Sequence, residues 1–256
     1  SCTGGRRDEN EDAFGVSNDG VWFVVADGCG GRSSGRRASD LAVQCILASE
    51  RDPDDKSVAV ADPLAARVLE ANDIVFRAAR QDPALVGVGC ALAALRLGKG
   101  YVAIVHVGHC RVGRLGNAFA QRGDGDNPPE LRWLTLHHVL WVEALLAGRP
   151  QAEVEELRST HASVIMRAVG VTDSLDVEVQ YRGVQPGDLF LLCTDGLSAH
   201  VPQQTITGIL RSPASLAERC AALLEAAEAA GGYDNTTVIL VEASRVVPMH
   251  GQSLTK

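Results

Sequence analysis

A chain of 256 residues with 46% hydrophobic side chains can bury a substantial core, and it has none of the polar, repetitive composition of a disordered segment. Its 24 basic and 32 acidic residues, net −8, lack the basic footprint of a nucleic-acid binder. Seven cysteines without a CxxC pair fit neither a zinc ribbon nor a disulfide framework, and no apolar run approaches the length of a membrane span; the expectation is a cytoplasmic enzyme or signalling domain.

The elements follow one another with clear punctuation. After the polar start SCTGGRRDENED, the spacing predicts strands over 13–16 and 21–26, then helices over 39–49 and 63–79, the second opened by Pro63. Strands over 90–97 and 101–107 flank Gly98-Lys99-Gly100, a hairpin candidate, and a further strand covers 111–115. RGDGDNPPE, residues 122–130, is a polar loop. A helix follows over 138–147, and the charged stretch 149–161 is partly helical by pattern, a candidate mobile cover. Strands over 176–182 and 189–194, a helix over 216–230 stopped by Gly231-Gly232, and a strand over 236–242 complete the chain. Strands separated by Gly or Asp-Gly, with a few amphipathic helices, read as an α+β fold whose helices pack outside antiparallel sheets. No linker divides the chain, so residues 1–245 are expected to form a single domain and 246–256 a tail.

Acidic residues recur where strands begin or end. Asp27-Gly28 follows VWFVVA, Asp195-Gly196 follows LFLLCT, Asp234 precedes NTTVILVE, and Glu11-Asp12 precedes AFGV. One Asp-Gly is most simply a tight turn, and one acidic pair a solvated segment. Four such sites can converge at one edge of the sheets, where mutual repulsion demands cations or raised pKa values. Oxygen donors suit Mg²⁺ or Mn²⁺, and the four charges of Glu11, Asp27, Asp195 and Asp234 balance two divalent ions. Such a metal pair serves in-line displacement at phosphorus, acidifying the attacking water. Arg7, shortly before the Glu11-Asp12 pair, is spaced to grip a phosphate dianion. Gly28 lacks a Cβ, so its carbonyl can approach a metal closely.

The series R-x-x-N-E-D (Arg7 to Asp12), V-A-D-G-x-G-G (Val25 to Gly31), L-C-T-D-G-L (Leu192 to Leu197) and G-G-x-D-N-T-T (Gly231 to Thr237) resembles the metal-dependent type 2C serine/threonine protein phosphatases of bacterial type, in order and spacing, over about residues 4 to 242. The resemblance implies a sandwich of two antiparallel sheets flanked by helices (αββα), with two Mn²⁺ or Mg²⁺ ions in a cleft at one end. It implies that Asp27 bridges both ions with help from the Gly28 carbonyl, that Asp195 and Asp234 hold one ion, and that Glu11 serves the other. Asp12 would orient water, Asn235 would lie in the surrounding shell, and Arg7 would hold the phosphate. The implied substrate is a phosphoprotein marked by a cognate serine/threonine kinase.

The chain departs from the family pattern at several points. The usual V-G-D-S-R reads Val107-Gly108-His109-Cys110-Arg111, which alters the site of a third metal. His109 is either a polar residue at a strand end or a nitrogen ligand for a softer ion. L-T-x-D-H-S reads Leu134-Thr135-Leu136-His137-His138-Val139, and Cys29 occupies a position where a general acid stands in some members. These changes motivate a rival reading, a pseudophosphatase that binds phosphoprotein without turnover. Gly31-Arg32-Ser33-Ser34-Gly35 also matches the G-x-S-x-G elbow of α/β-hydrolases, with Ser33 as nucleophile, although the strand is expected to end five residues earlier. Cys110 lacks the arginine that follows the cysteine of a cysteine phosphatase after five intervening residues; that position is Gly116.

Overall fold

The computed structural model describes residues 1–30, 34–48, 62–116, 130–162 and 164–243. Ser33, nearly all of the loop expected over 122–130 and the tail over 246–256 lie outside the described residues. In chain order the elements are β1 (Asp12–Val16), β2 (Trp22–Cys29), α1 (Ser34–Leu47), α2 (Pro63–Gln81), β3 (Gly89–Leu97), β4 (Tyr101–Val107), β5 (Arg111–Leu115), β6 (Leu131–Trp133), α3 (Leu140–Leu146), α4 (Gln151–Thr160), β7 (Gln180–Gly183), β8 (Leu189–Cys193), α5 (Asp195–Ser198), α6 (Gln203–Arg211), α7 (Leu216–Ala229) and β9 (Val238–Glu242).

Two sheets form, ordered β1-β2-β3-β4-β7 and β6-β5-β8-β9. Every strand pair among the described residues is antiparallel, so the parallel sheet that a Ser33 nucleophile elbow requires is not present there. The period-2 alternation of side chains builds the layers. In β2, Val24 and Ala26 face α1 and α2, where Ala38, Ala42, Ile46, Leu64, Val68 and Ala71 close a first core. Val25 faces the opposite way, into a second core between the sheets with Leu95, Ile104, Val112, Phe190 and Leu192. In β8, Leu189, Leu191 and Cys193 face a third core, closed by Leu197, Ile206, Leu210, Leu223 and Ala227 from α5, α6 and α7. The result is the helix–sheet–sheet–helix layering expected. It also explains why LFLLC is apolar without alternation: β8 is buried on both faces.

Local chemistry sets the helix ends. The Asp62 side chain accepts from the Leu64 and Ala65 N–H groups with Pro63 in the first turn, and Ser215 and Glu218 form a reciprocal capping box on α7.

Two expectations are corrected, and further elements are added or extended. The strand expected to stop at Ala26 runs on through Cys29, because Asp27 continues the ladder opposite both Asp12 and Ala91; Asp27-Gly28 is not a turn. The strand expected over 176–182 is confined to Gln180–Gly183, while Val177 and Val179 pack against the first core instead of extending the ladder. β6 is too short to show a period, and α6, which buries Ile206, Thr207 and Leu210 with Ile209 packed beside them, adds a helix to those expected. The charged stretch after Arg149, read as partly helical, is the helix α4, packed on α3.

Phe190 is fully buried between the sheets. Phe190→Ala is expected to lower unfolding free energy by about 3–5 kcal/mol in urea denaturation. Phe14→Ala, at a position 53% exposed, is expected to change it by less than about 0.5 kcal/mol.

Candidate metal centre

The antiparallel register of β1 and β2 places Asp12 directly opposite Asp27. Asp195 enters from the other sheet as the first residue of α5, immediately after β8, and His109 from the turn between β4 and β5. His109 Nδ1 lies 3.7 Å from Asp27 Oδ2, and His109 Nε2 lies 3.9 Å from Asp195 Oδ2. One donor atom from each of these three residues falls within 4.8 Å of the other two. Asp234, just before β9, holds Arg7 through Oδ2 at 2.7 Å and accepts the Asn235 N–H through Oδ1 at 2.8 Å.

A frame of hydrogen bonds fixes the carboxylates. Asn235 is the tie-point: its Oδ1 accepts the Glu11 N–H (2.8 Å), and its Nδ2 donates to the Thr3 and Glu9 carbonyls (2.7 and 2.9 Å). The N-terminal segment carrying Arg7 and Glu11 is thereby bound to the start of the last strand. Thr194 Oγ1 donates to Asp12 Oδ2 (2.8 Å) and accepts the Thr237 N–H (2.9 Å). Ser39 Oγ donates to the Glu11 carbonyl, and the Gly35 N–H donates to Glu11 Oε1 (3.1 Å).

The close approach of α1 demands both glycines. A Cβ on Gly28 would meet the Gly35 carbonyl oxygen at 2.1 Å, and a Cβ on Gly35 would lie 2.8 Å from the Gly28 oxygen and 2.9 Å from Glu11 Oε1. Two oxygens expected as ligands, from Gly28 and Glu11, thus meet at the head of α1. Thr194 and Ser39 escaped the sequence reading, although Thr194 sat within the L-C-T-D-G-L motif, and Gly35 was read only as part of a G-x-S-x-G match.

The electrostatics follow from this crowding. Burial, followed by the Asp12, Asp195 and Asp234 charges, drives the Asp27 carboxyl well above the usual carboxylate range. Burial, together with Asp195 and Asp234, raises Asp12 to about 7 against the opposing hydrogen bonds from Thr237 and Thr194. Buried oxygens Asp12 Oδ1 and Asp195 Oδ1, and His109 Nδ1, have no hydrogen-bond partner among the described residues. Buried polar atoms without partners are costly, and several aimed into one acidic cleft are what a cation would satisfy. The donor set is mainly carboxylate oxygen, which fits hard divalent ions.

The other departures sit nearby with different characters. The Cys29 thiol is pushed up to about 11 by burial and then by Asp27 and Glu11, so it is a poor proton donor. His137 is held at about 3, first by burial and then by Arg111 and its histidine neighbours, and is therefore neutral.

The protein phosphatase 2C family model matches residues 5–124. The serine/threonine phosphatase stp of Listeria welshimeri is 32% identical over 243 residues, 92% of this chain and 91% of that one. The chain belongs to the protein phosphatase 2C family. The crystal structure of the serine/threonine phosphatase PstP/Ppp of Mycobacterium tuberculosis superposes with a TM-score of 0.80 at 29% identity, over 96% of this chain and 97% of the other. A crystal structure of the PstP catalytic domain in complex with two manganese ions, also 29% identical, gives a TM-score of 0.75 over 94% and 95% of the two chains. No helix among the described residues of this 2C phosphatase is long and apolar enough to cross a membrane.

The raised carboxylates make a signed prediction. Between the ordinary carboxylate pKa and about 7, the folded, metal-free protein binds more protons than the unfolded chain at Asp12 and Asp27. The Asp12 contribution is therefore present in acid and lost as pH rises through about 7, and the raised Asp27 carboxyl acts in the same direction. His137 and His138, held at about 3 and about 4, act in the opposite sense, but only below the ordinary histidine value near 6.5. Chelator-treated protein should lose urea stability from pH 6.5 to 8, Asp12→Asn should flatten the slope, and Mn²⁺ should restore stability at pH 8.

Proposed function

We propose that this chain hydrolyses phosphoserine and phosphothreonine in proteins, in a metal-dependent reaction. Supporting this reading most directly is the convergence of Asp12, Asp27 and Asp195 on one cleft, with buried oxygens that have no partner among the described residues. Membership of the 2C family makes the chain a protein phosphatase, and its relatives include the stp enzyme and PstP. Glu11, Asp27, the Gly28 carbonyl, Asp195 and Asp234 would hold two divalent ions, Mn²⁺ or Mg²⁺. When bound, such ions lower the pKa of water and neutralise charge developing on a transferring phosphoryl group.

The chain's own residues supply the remaining requirements. Arg7, half-exposed and anchored to Asp234, stands at the rim where a guanidinium can hold the phosphate dianion. Asp12, buried and oriented by Thr194, is placed to accept a hydrogen bond from the attacking water. Asn235 keeps Glu11 and Arg7 in register with Asp234. In the hydrolysis the water oxygen bonds to phosphorus as the ester P–O bond breaks, and the seryl or threonyl oxygen takes a proton. The Cys29 thiol, pushed up to about 11 by burial and then by Asp27 and Glu11, is a weaker proton source for that oxygen than an ordinary thiol. We take residues 1–245 as one phosphatase domain with a tail at 246–256, acting in the cytoplasm on proteins marked by a cognate serine/threonine kinase.

The test is release of phosphate from a phosphothreonine peptide with and without Mn²⁺. Turnover should require the ion and fall by about 100-fold or more in Asp27→Asn and Asp195→Ala. Arg7→Ala should act chiefly on KM, raising it about tenfold. Absence of turnover with every divalent ion would contradict the proposal and leave a phosphoprotein-binding relative.

A further inference from the structure

We propose that His109 is itself a metal ligand, so that the cleft offers a mixed nitrogen and oxygen donor set selecting a borderline transition metal over Mg²⁺. Resting on the metal-dependent reading above, this assigns a chemistry to the residue that replaces the family's aspartate.

His109 is buried, with 8% of its surface exposed, and lies in the turn between β4 and β5. That turn is held rigidly. Gly108 adopts φ +83 where a Cβ would press to 2.7 Å on Ala91, its N–H donates to His138 Nδ1 (3.3 Å), and its carbonyl accepts the His138 N–H (2.9 Å). On the other side Cys110 is fully buried between the sheets. The imidazole is thus aimed by its neighbours, not left to sample solvent.

A buried histidine in a purely structural role satisfies both ring nitrogens with hydrogen bonds. Here Nδ1 has no such partner among the described residues. Its nearest carboxylate oxygen, on Asp27, is 3.7 Å away, and Nε2 is 3.9 Å from Asp195. Both separations exceed a hydrogen bond of about 3.2 Å. Both fall within the roughly 4.2 Å that two donors, each about 2.0–2.1 Å from one ion, can span. Nitrogen and oxygen are therefore spaced to share a cation.

The ring also lies between two carboxylates. Whichever nitrogen binds, the other N–H faces a carboxylate, the arrangement that fixes the tautomer of a metal-bound imidazole. Imidazole donors suit Zn²⁺, Ni²⁺ and Co²⁺, whereas Mg²⁺ prefers oxygen throughout; the histidine thus shifts preference along the transition-metal series.

The experiment uses the full chain, stripped of metal and loaded with substoichiometric Mn²⁺ for pulsed EPR. Affinities for Co²⁺ and Mg²⁺ are measured by calorimetry on wild type, His109→Gln and His109→Asp. A directly coordinated ¹⁴N signal is expected in wild type and should vanish in both variants. His109→Asp should lower the Co²⁺/Mg²⁺ affinity ratio by at least about tenfold. A wild-type spectrum without ¹⁴N coupling, a coupling that survives in His109→Gln, or an unchanged ratio would overturn the assignment. If wild type turns over phosphopeptide with Mn²⁺ yet shows no nitrogen coupling, only the His109 assignment fails. If it binds no divalent ion, both readings fail.

Discussion

Three largely buried carboxylates in one cleft, Asp12, Asp27 and Asp195, repel one another and forgo much of their hydration, and everything else at this end of the molecule accommodates that conflict. Asp12 and Asp27 are held opposite each other by the β1–β2 register, and Asp195 is delivered from the second sheet by the step from β8 to α5. The backbones of Asp12 and Asp27 cannot move apart without breaking the β1–β2 ladder. The protein resolves the conflict in part by protonation, with Asp12 raised to about 7 and Asp27 raised as well. The fuller resolution is positive charge: Arg7 on Asp234 at the rim, and divalent ions in the cleft under the proposed function.

The scaffold is suited to holding such a strained arrangement. β2 and β8 lie in the middle of their sheets and are packed on both faces, so the two strands that carry or precede Asp27 and Asp195 are anchored by separate cores. The sandwich core fixes the distance between the two sheets. Asn235, reaching back to Thr3, Glu9 and Glu11, then binds the N-terminal segment to the same edge. Four segments far apart in sequence are thereby closed into one site by a single amide side chain and two strand registers.

Much of this was legible before the fold was seen, because apolar runs ending in Asp-Gly report both a strand and an exceptional terminus. The long strands and helices followed from period 2 and period 3.6 patterns, and the acidic residues that converge were those at strand ends. What was illegible depends on through-space contact. Gly28 read as room for a metal, but the structure shows it equally as room for the Gly35 backbone, a contact 7 residues apart that only the α1 packing creates. Thr194 looked like a small polar residue until its hydroxyl met Asp12, 182 residues away. β6 and α5 are too short to carry a period, and α4 showed only a partial helical pattern, since only Val154 among its residues is buried.

The central claim, that divalent ions resolve the carboxylate conflict, is tested most directly by counting them. Equilibrium dialysis of metal-free protein against Mn²⁺ should give two ions per chain, falling to one or none in Asp27→Asn, with the folded structure retained by circular dichroism. Full occupancy in Asp27→Asn, or no ion retained by the wild type, would contradict the account and leave protonation as the cleft's only remedy.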